Sequence, residues 1–159
     1  MKNFVRTFVN AVVFGWALAS AGAAGAAECP GGKGIYRGVD SGTHELVFTN
    51  WNSGYLKLKA GKITRKYPFI SWYSNGYGHF HLQVNSSNTE NPNDDDPSTV
   101  VIPFEKNFKK SKRFSSDPVL VTPGLPGSFY YWDPFRNLPD HDLNLLPDYA
   151  WKLVGCNRN

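Results

Sequence analysis

From residue 34 to residue 154 the chain is a succession of short apolar runs separated by turn-forming residues. The runs are GIYRGV (34–39), HELVFT (44–49), YLKLK (55–59), KITRKYPFI (62–70), STVVIPF (98–104), PVLVT (118–122), SFYYW (128–132) and YAWKLV (149–154). The segments SWYS and YGHFHLQV flank Asn75-Gly76. Several runs alternate with period two. YLKLK sets Leu56 and Leu58 on one face, and HFHLQV sets Phe80, Leu82 and Val84 opposite His79, His81 and Gln83. A period of two is the signature of a strand with one buried face. Asn75-Gly76 predicts a two-residue hairpin turn of type I′, in which both central residues take positive φ.

Helical spacing is scarce. The best stretch is DHDLNLL (140–146), bounded by Pro139 and Pro147. Eleven prolines and fifteen glycines interrupt nearly everything else. The expected fold is therefore mainly β: one antiparallel β-sandwich or small barrel with at most one short helix. Residues 85–98 (NSSNTENPNDDDPS) contain no core-forming side chain and are expected to form an exposed, mobile loop.

The first 27 residues read differently. Lys2 and Arg6 precede an apolar stretch, FVNAVVFGWAL, and then ASAGAAGAA, the order of a secretory signal peptide cut near Ala26 or Ala27. The stretch is short of the roughly 20 residues of a membrane span. The expected organisation is a signal peptide over 1–27 and one secreted β-rich domain over 28–159, extracellular or periplasmic according to source. No span is expected in that domain.

Export changes the charge and the cysteine chemistry. Without Lys2 and Arg6 the net charge falls from +4 to +2, with 15 basic and 13 acidic residues. That balance gives no basis for indiscriminate nucleic-acid binding. In an oxidising compartment an isolated cysteine pair becomes a disulfide, so Cys29 and Cys156 are expected to join the two ends of the mature chain.

Candidate chemistry gathers in a few places. His79 and His81, two apart on a strand, offer imidazoles to a metal or to an acid–base pair. The pair resembles the metal-binding HxH of cupin barrels. It departs from them in having Tyr73 where a glycine stands six residues before the first histidine, and Asn85 and Ser86 where a glutamate follows. His44, His81, Glu105 and Arg113 are the ingredients of ribonuclease acid–base and phosphate chemistry, without a recognisable spacing. No nucleophile elbow or phosphate-binding glycine loop occurs, and no cofactor is expected. KNFKKSKR (106–113) puts Lys109, Lys110, Lys112 and Arg113 into a run suited to an anionic partner.

Twenty aromatic residues remain after residue 27, and the adjacent pairs Trp72-Tyr73 and Tyr131-Trp132 cannot all face inward from a strand. Exposed Tyr and Trp serve protein interfaces and also stack on sugars. Asn85-Ser86-Ser87 is an N-glycosylation acceptor in a eukaryotic secretory route.

A leader, one compact β-rich domain and a cysteine near each mature end (Cys29, Cys156) make the chain resemble the small secreted effectors of plant-associated fungi. That resemblance implies a non-enzymatic protein that binds a host macromolecule, with a protein the expected partner, and that can enter host cells. A periplasmic inhibitor or immunity protein, a carbohydrate-binding module and a ribonuclease-like enzyme are the alternatives.

Overall fold

The structure is a computed structural model that describes residues 29–158 except 77, 88–91, 112–116 and 140. The alternating segments form eight strands: β1 Gly34–Gly38, β2 Glu45–Phe48, β3 Ser53–Ala60, β4 Ile63–Ser74, β5 His79–Val84, β6 Ser98–Phe104, β7 Val119–Val121 and β8 Ala150–Cys156. Each strand pairs antiparallel with the next, and β8 returns to β1, so the sheet closes into a barrel. Of the two expected architectures, closure selects the barrel, which leaves no open edge to pair with another chain.

The registers explain the core. Leu46 stands opposite Tyr36 and Leu56, Leu56 opposite Tyr67, and Leu120 opposite Trp151, so these side chains enter the barrel together. Eight strands enclose an interior that side chains can fill. Here Tyr36, Phe48 and Phe69 meet edge to face across it, with ring centroids 5.9 and 5.1 Å apart.

One end of the barrel is plugged by the connection from β7 to β8. It contains α1, Leu125–Tyr131, the single turn α2, Asp133–Arg136, and a 3-10 turn at Leu143–Leu145. Leu125 and Phe129, four apart on α1, share one helical face, while Trp132 is the extended residue between the two helices and Phe135 is the buried residue of α2. All four join the barrel core. Tyr67 of β4 meets Phe129 at 5.3 Å and Trp132 at 5.7 Å, which seats the plug on the wall.

Three local expectations are corrected. SFYYW (128–132) is helix through Tyr131 rather than strand, because Pro126 starts a helical turn and the buried stripe continues from Leu125. The predicted helix over 140–146 contracts to the 3-10 turn at Leu143–Leu145, where the Asp142 carboxylate accepts the Asn144 amide at 2.8 Å. The β4–β5 turn is not a two-residue type I′ turn. Ser74 pairs with His79, and among the described turn residues only Gly78 has positive φ. Its amide bonds back to the Ser74 carbonyl at 2.8 Å, a four-residue loop that a second glycine makes accessible.

The polar loop is also better anchored than its composition suggests. Asp96 is buried and accepts the amides of Ser86 at 3.2 Å and Asn93 at 3.0 Å. At the unplugged end the Cys29–Cys156 disulfide forms as expected, with Cα atoms 5.3 Å apart. Because Cys156 pairs with Gly34, the bond ties the chain ahead of β1 to the end of β8. Among the described residues no helix is long and apolar enough to cross a membrane.

Candidate binding surface at the unplugged end

The chain order of an up-and-down barrel brings the β2–β3, β4–β5 and β6–β7 connections to the same end, opposite the plug. Trp72 and Tyr73 stand near the end of β4, on opposite faces of the sheet. Trp72 faces outward, is 39 % exposed, and stacks on its cross-strand partner His81 with centroids 5.4 Å apart and planes 12° apart. Tyr73 leans edge-on against Phe80 at 5.0 Å and remains exposed at the barrel mouth. The β2–β3 loop lies alongside: Ser71 donates its amide to the Asn52 carbonyl at 2.7 Å and its hydroxyl to the Trp51 carbonyl at 3.2 Å. Trp51 is exposed there.

The basic run folds back on itself. The Glu105 amide bonds to the Lys109 carbonyl at 2.9 Å, the Phe108 amide to the Glu105 carbonyl at 3.0 Å, and Lys110 bridges to Phe104. At the tip Phe108 takes φ 60 and leaves its ring 76 % exposed. A non-glycine residue in this left-handed region costs on the order of 1 kcal/mol. The ring recovers nothing from the core in return, so the tip displays it outward. Lys110 then reaches back, placing its Nζ 3.2 Å from Nδ1 of His79. An ammonium only donates, so Nδ1 accepts and the other ring nitrogen of His79 carries the proton.

The two histidines therefore do different things: His81 supports Trp72 and His79 holds the basic loop. Among the described residues no three of His, Cys, Asp and Glu gather as metal ligands would. Lys112 and Arg113 lie outside the described residues. The sequence reading missed Trp51 and Phe108 as surface aromatics. The signal was present, since each sits among turn formers rather than inside an alternating run.

The other two expected aromatics sit at the opposite end. Tyr131 is 74 % exposed on α1, whereas Trp132 is 6 % exposed and belongs to the plug, which corrects its expected display. Tyr131 and Trp132 border an open cleft of about 600 Å³ whose other walls include Ser86, Asn93, Asp95 and Asp133. Asn85 nearby is buried and its Oδ1 accepts the Ser87 hydroxyl at 3.1 Å, so the glycosylation acceptor is not displayed on the folded surface.

His44 belongs to a buried network at the plugged end. It is 1 % exposed and its Nδ1 lies 2.9 Å from Oδ2 of Asp148. Asp148 also accepts the amides of Asp40 at 2.7 Å and Ser41 at 2.8 Å, and the Ser41 hydroxyl at 2.7 Å. Burial alone would raise this carboxyl. The bonds from His44, Ser41 and Asp40 outweigh it and hold the group below its ordinary value. Gly38 makes the approach possible, because a Cβ there would overlap the Asp148 carboxylate. The serine bonds to the aspartate and not to the imidazole, which is not the order of a nucleophilic triad. Nε2 of His44 is buried without a hydrogen-bond partner among the described residues.

The ribonuclease set is thus dispersed. His44 is inside at the plugged end, His81 lies outside on β5, and Glu105 is exposed on the far loop. What unites the described surface is the class of molecule it defines: a closed eight-stranded antiparallel barrel with one plugged end and one aromatic, basic end. No family model matches the chain, and no curated protein or solved structure matches it either.

Proposed function

We propose that this chain is an exported, non-enzymatic binding protein that engages a protein partner through the unplugged end of its barrel. The Lys110–His79 contact is the observation that carries the reading. It brings the basic loop against the aromatic hairpin, so that Trp72, Tyr73, Phe108, Lys109 and Lys110 gather at one end of the barrel. Aromatic side chains supply contact area at small entropic cost, and lysines steer encounter with an acidic partner. A host protein as that partner, and an effector or virulence role, follow from the resemblance to secreted effectors.

The test is affinity capture with the oxidised mature chain and three variants. A partner retained by the wild type and by Tyr131→Ala, but lost from Trp72→Ala and from Lys109→Glu, supports this reading. Equal retention by all four chains contradicts it.

Carbohydrate binding is the second reading, and the cleft at the plugged end favours it. Carboxylates, an amide and a hydroxyl there face an exposed tyrosine, the combination that hydrogen-bonds sugar hydroxyls and stacks on their apolar faces. Retention on polysaccharide that Tyr131→Ala abolishes and Trp72→Ala leaves intact would establish it.

A further inference from the structure

The geometry points to a small-molecule site in the mouth of the barrel, suited to an organic carboxylate with a compact apolar body. A cavity of about 200 Å³ opens there between the ends of β4, β5 and β6 and the loop that follows β6. Its walls include Tyr73, Phe80, Val101 and Pro103. Tyr73 pairs with Phe80 and Phe80 with Val101, so these three are successive inward-facing positions around the barrel. Phe80 packs against the main core, which makes the floor of the cavity apolar and firm.

The rim is of opposite character. Lys110 and His79 line it, 3.2 Å apart, and no lining residue carries a carboxylate. Lys110 spends one of its three ammonium donors on His79, and the protonated ring nitrogen of His79 is a further donor. A cation at the rim above an apolar floor matches an anionic head on an apolar stem. A charge-assisted hydrogen bond to a carboxylate is about twice as strong as a neutral one. Mouths of β-barrels are recurrent ligand sites for this reason: the wall supplies apolar surface and the loops supply the few polar groups. The cavity admits a body the size of a single ring and leaves no room for a long acyl chain.

This site goes beyond macromolecular docking and does not depend on it. Phe108 separates the two, because it is displayed on the loop tip and does not line the cavity. The probes are benzoate, its neutral isostere benzamide, and acetate, which keeps the charge but lacks the body. Titration calorimetry on the oxidised mature chain should give saturable benzoate binding at about 1 mM or tighter. Benzamide and acetate should each bind at least about tenfold more weakly, a difference of one order in the dissociation constant. Lys110→Met keeps the stem and removes the charge; it should weaken benzoate about tenfold at an unchanged melting temperature, while Phe108→Ala binds as wild type. Absence of saturable benzoate binding up to about 10 mM overturns the proposal. So does equal binding of benzamide, or undiminished binding by Lys110→Met.

Discussion

Asp148→Ala is expected to lower the folding free energy by about 3–5 kcal/mol, the cost of removing one partner from a buried charged network. The substitution leaves the amides of Asp40 and Ser41, the Ser41 hydroxyl and Nδ1 of His44 without their acceptor. These groups hold the β1–β2 loop to the segment that enters β8, so the plug loses its anchor as well. Asp148→Asn retains an oxygen for the two amides and is expected to cost less, about 1–3 kcal/mol. Denaturant unfolding measures both. A loss under about 0.5 kcal/mol for the alanine variant would show that the network does not hold the end of the barrel.

The same carboxylate gives the fold an acid limb. Its folded value lies below the ordinary 3.8, so near that pH the unfolded chain binds the proton more readily than the folded one. The stabilisation is complete above the unfolded value and is lost as pH falls through the lowered folded value. Unfolding curves across that range should flatten in Asp148→Asn. Tyr36 acts at the other extreme. Burial, and secondly the charge of Asp117, push its hydroxyl above the ordinary phenol value while it donates to the Asp117 carbonyl at 2.9 Å. Its contribution is present below pH 10 and declines above it, where the unfolded phenol ionises.

Replacing Cys29 and Cys156 together by serine is the second large effect expected. The bond spans 127 residues, and releasing a closed loop of that length costs up to about 5 kcal/mol in the chain-entropy treatment. The expected loss is about 2–5 kcal/mol, felt first where β1 and β8 close the barrel. That seam contains a register shift between Ile35 and Tyr36, so it is the least regular join in the wall. Comparing oxidised wild type, reduced wild type and the double variant by denaturant unfolding should place the last two together. If all three unfold alike, the disulfide is dispensable to closure.

Strands were readable where a single face decides the pattern. Leu56 and Leu58, or Phe80, Leu82 and Val84, alternate because one side of each meets the core and the other meets water. The plug was not readable in the same way. Its stripe of Leu125, Phe129, Trp132 and Phe135 runs through Pro126 and Pro134, and the adjacent aromatics of SFYYW have the composition of a strand. Burial of Leu125, Phe129, Trp132 and Phe135 in the barrel core, with Phe129 and Trp132 against Tyr67, goes with the helix, and no local pattern records it. Closure was equally hidden, since the β1–β8 pairing joins the first and last strands of the barrel, and the cysteines were its one local sign.

The candidate surface divides along the same line. Trp72, Tyr73, Lys109 and Lys110 stood out because aromatic pairs in a strand and a basic run cannot all be internal. That Lys110 meets His79 across 31 residues depends on the fold of the loop, which no local pattern records. Trp132 was misplaced for the complementary reason: at the extended break between α1 and α2 it turns to the core, while Tyr131, the last residue of α1, faces water.

The proposed function requires that one end of the barrel, and not the other, receives the partner. Hydrogen–deuterium exchange on the captured complex tests it most directly. The expected result is slower exchange at residues 72–80 and 105–111, with 86–96 and 130–136 unchanged from the free chain. Protection confined to 86–96 and 130–136 would contradict the claim and move the binding site to the cleft beside Tyr131.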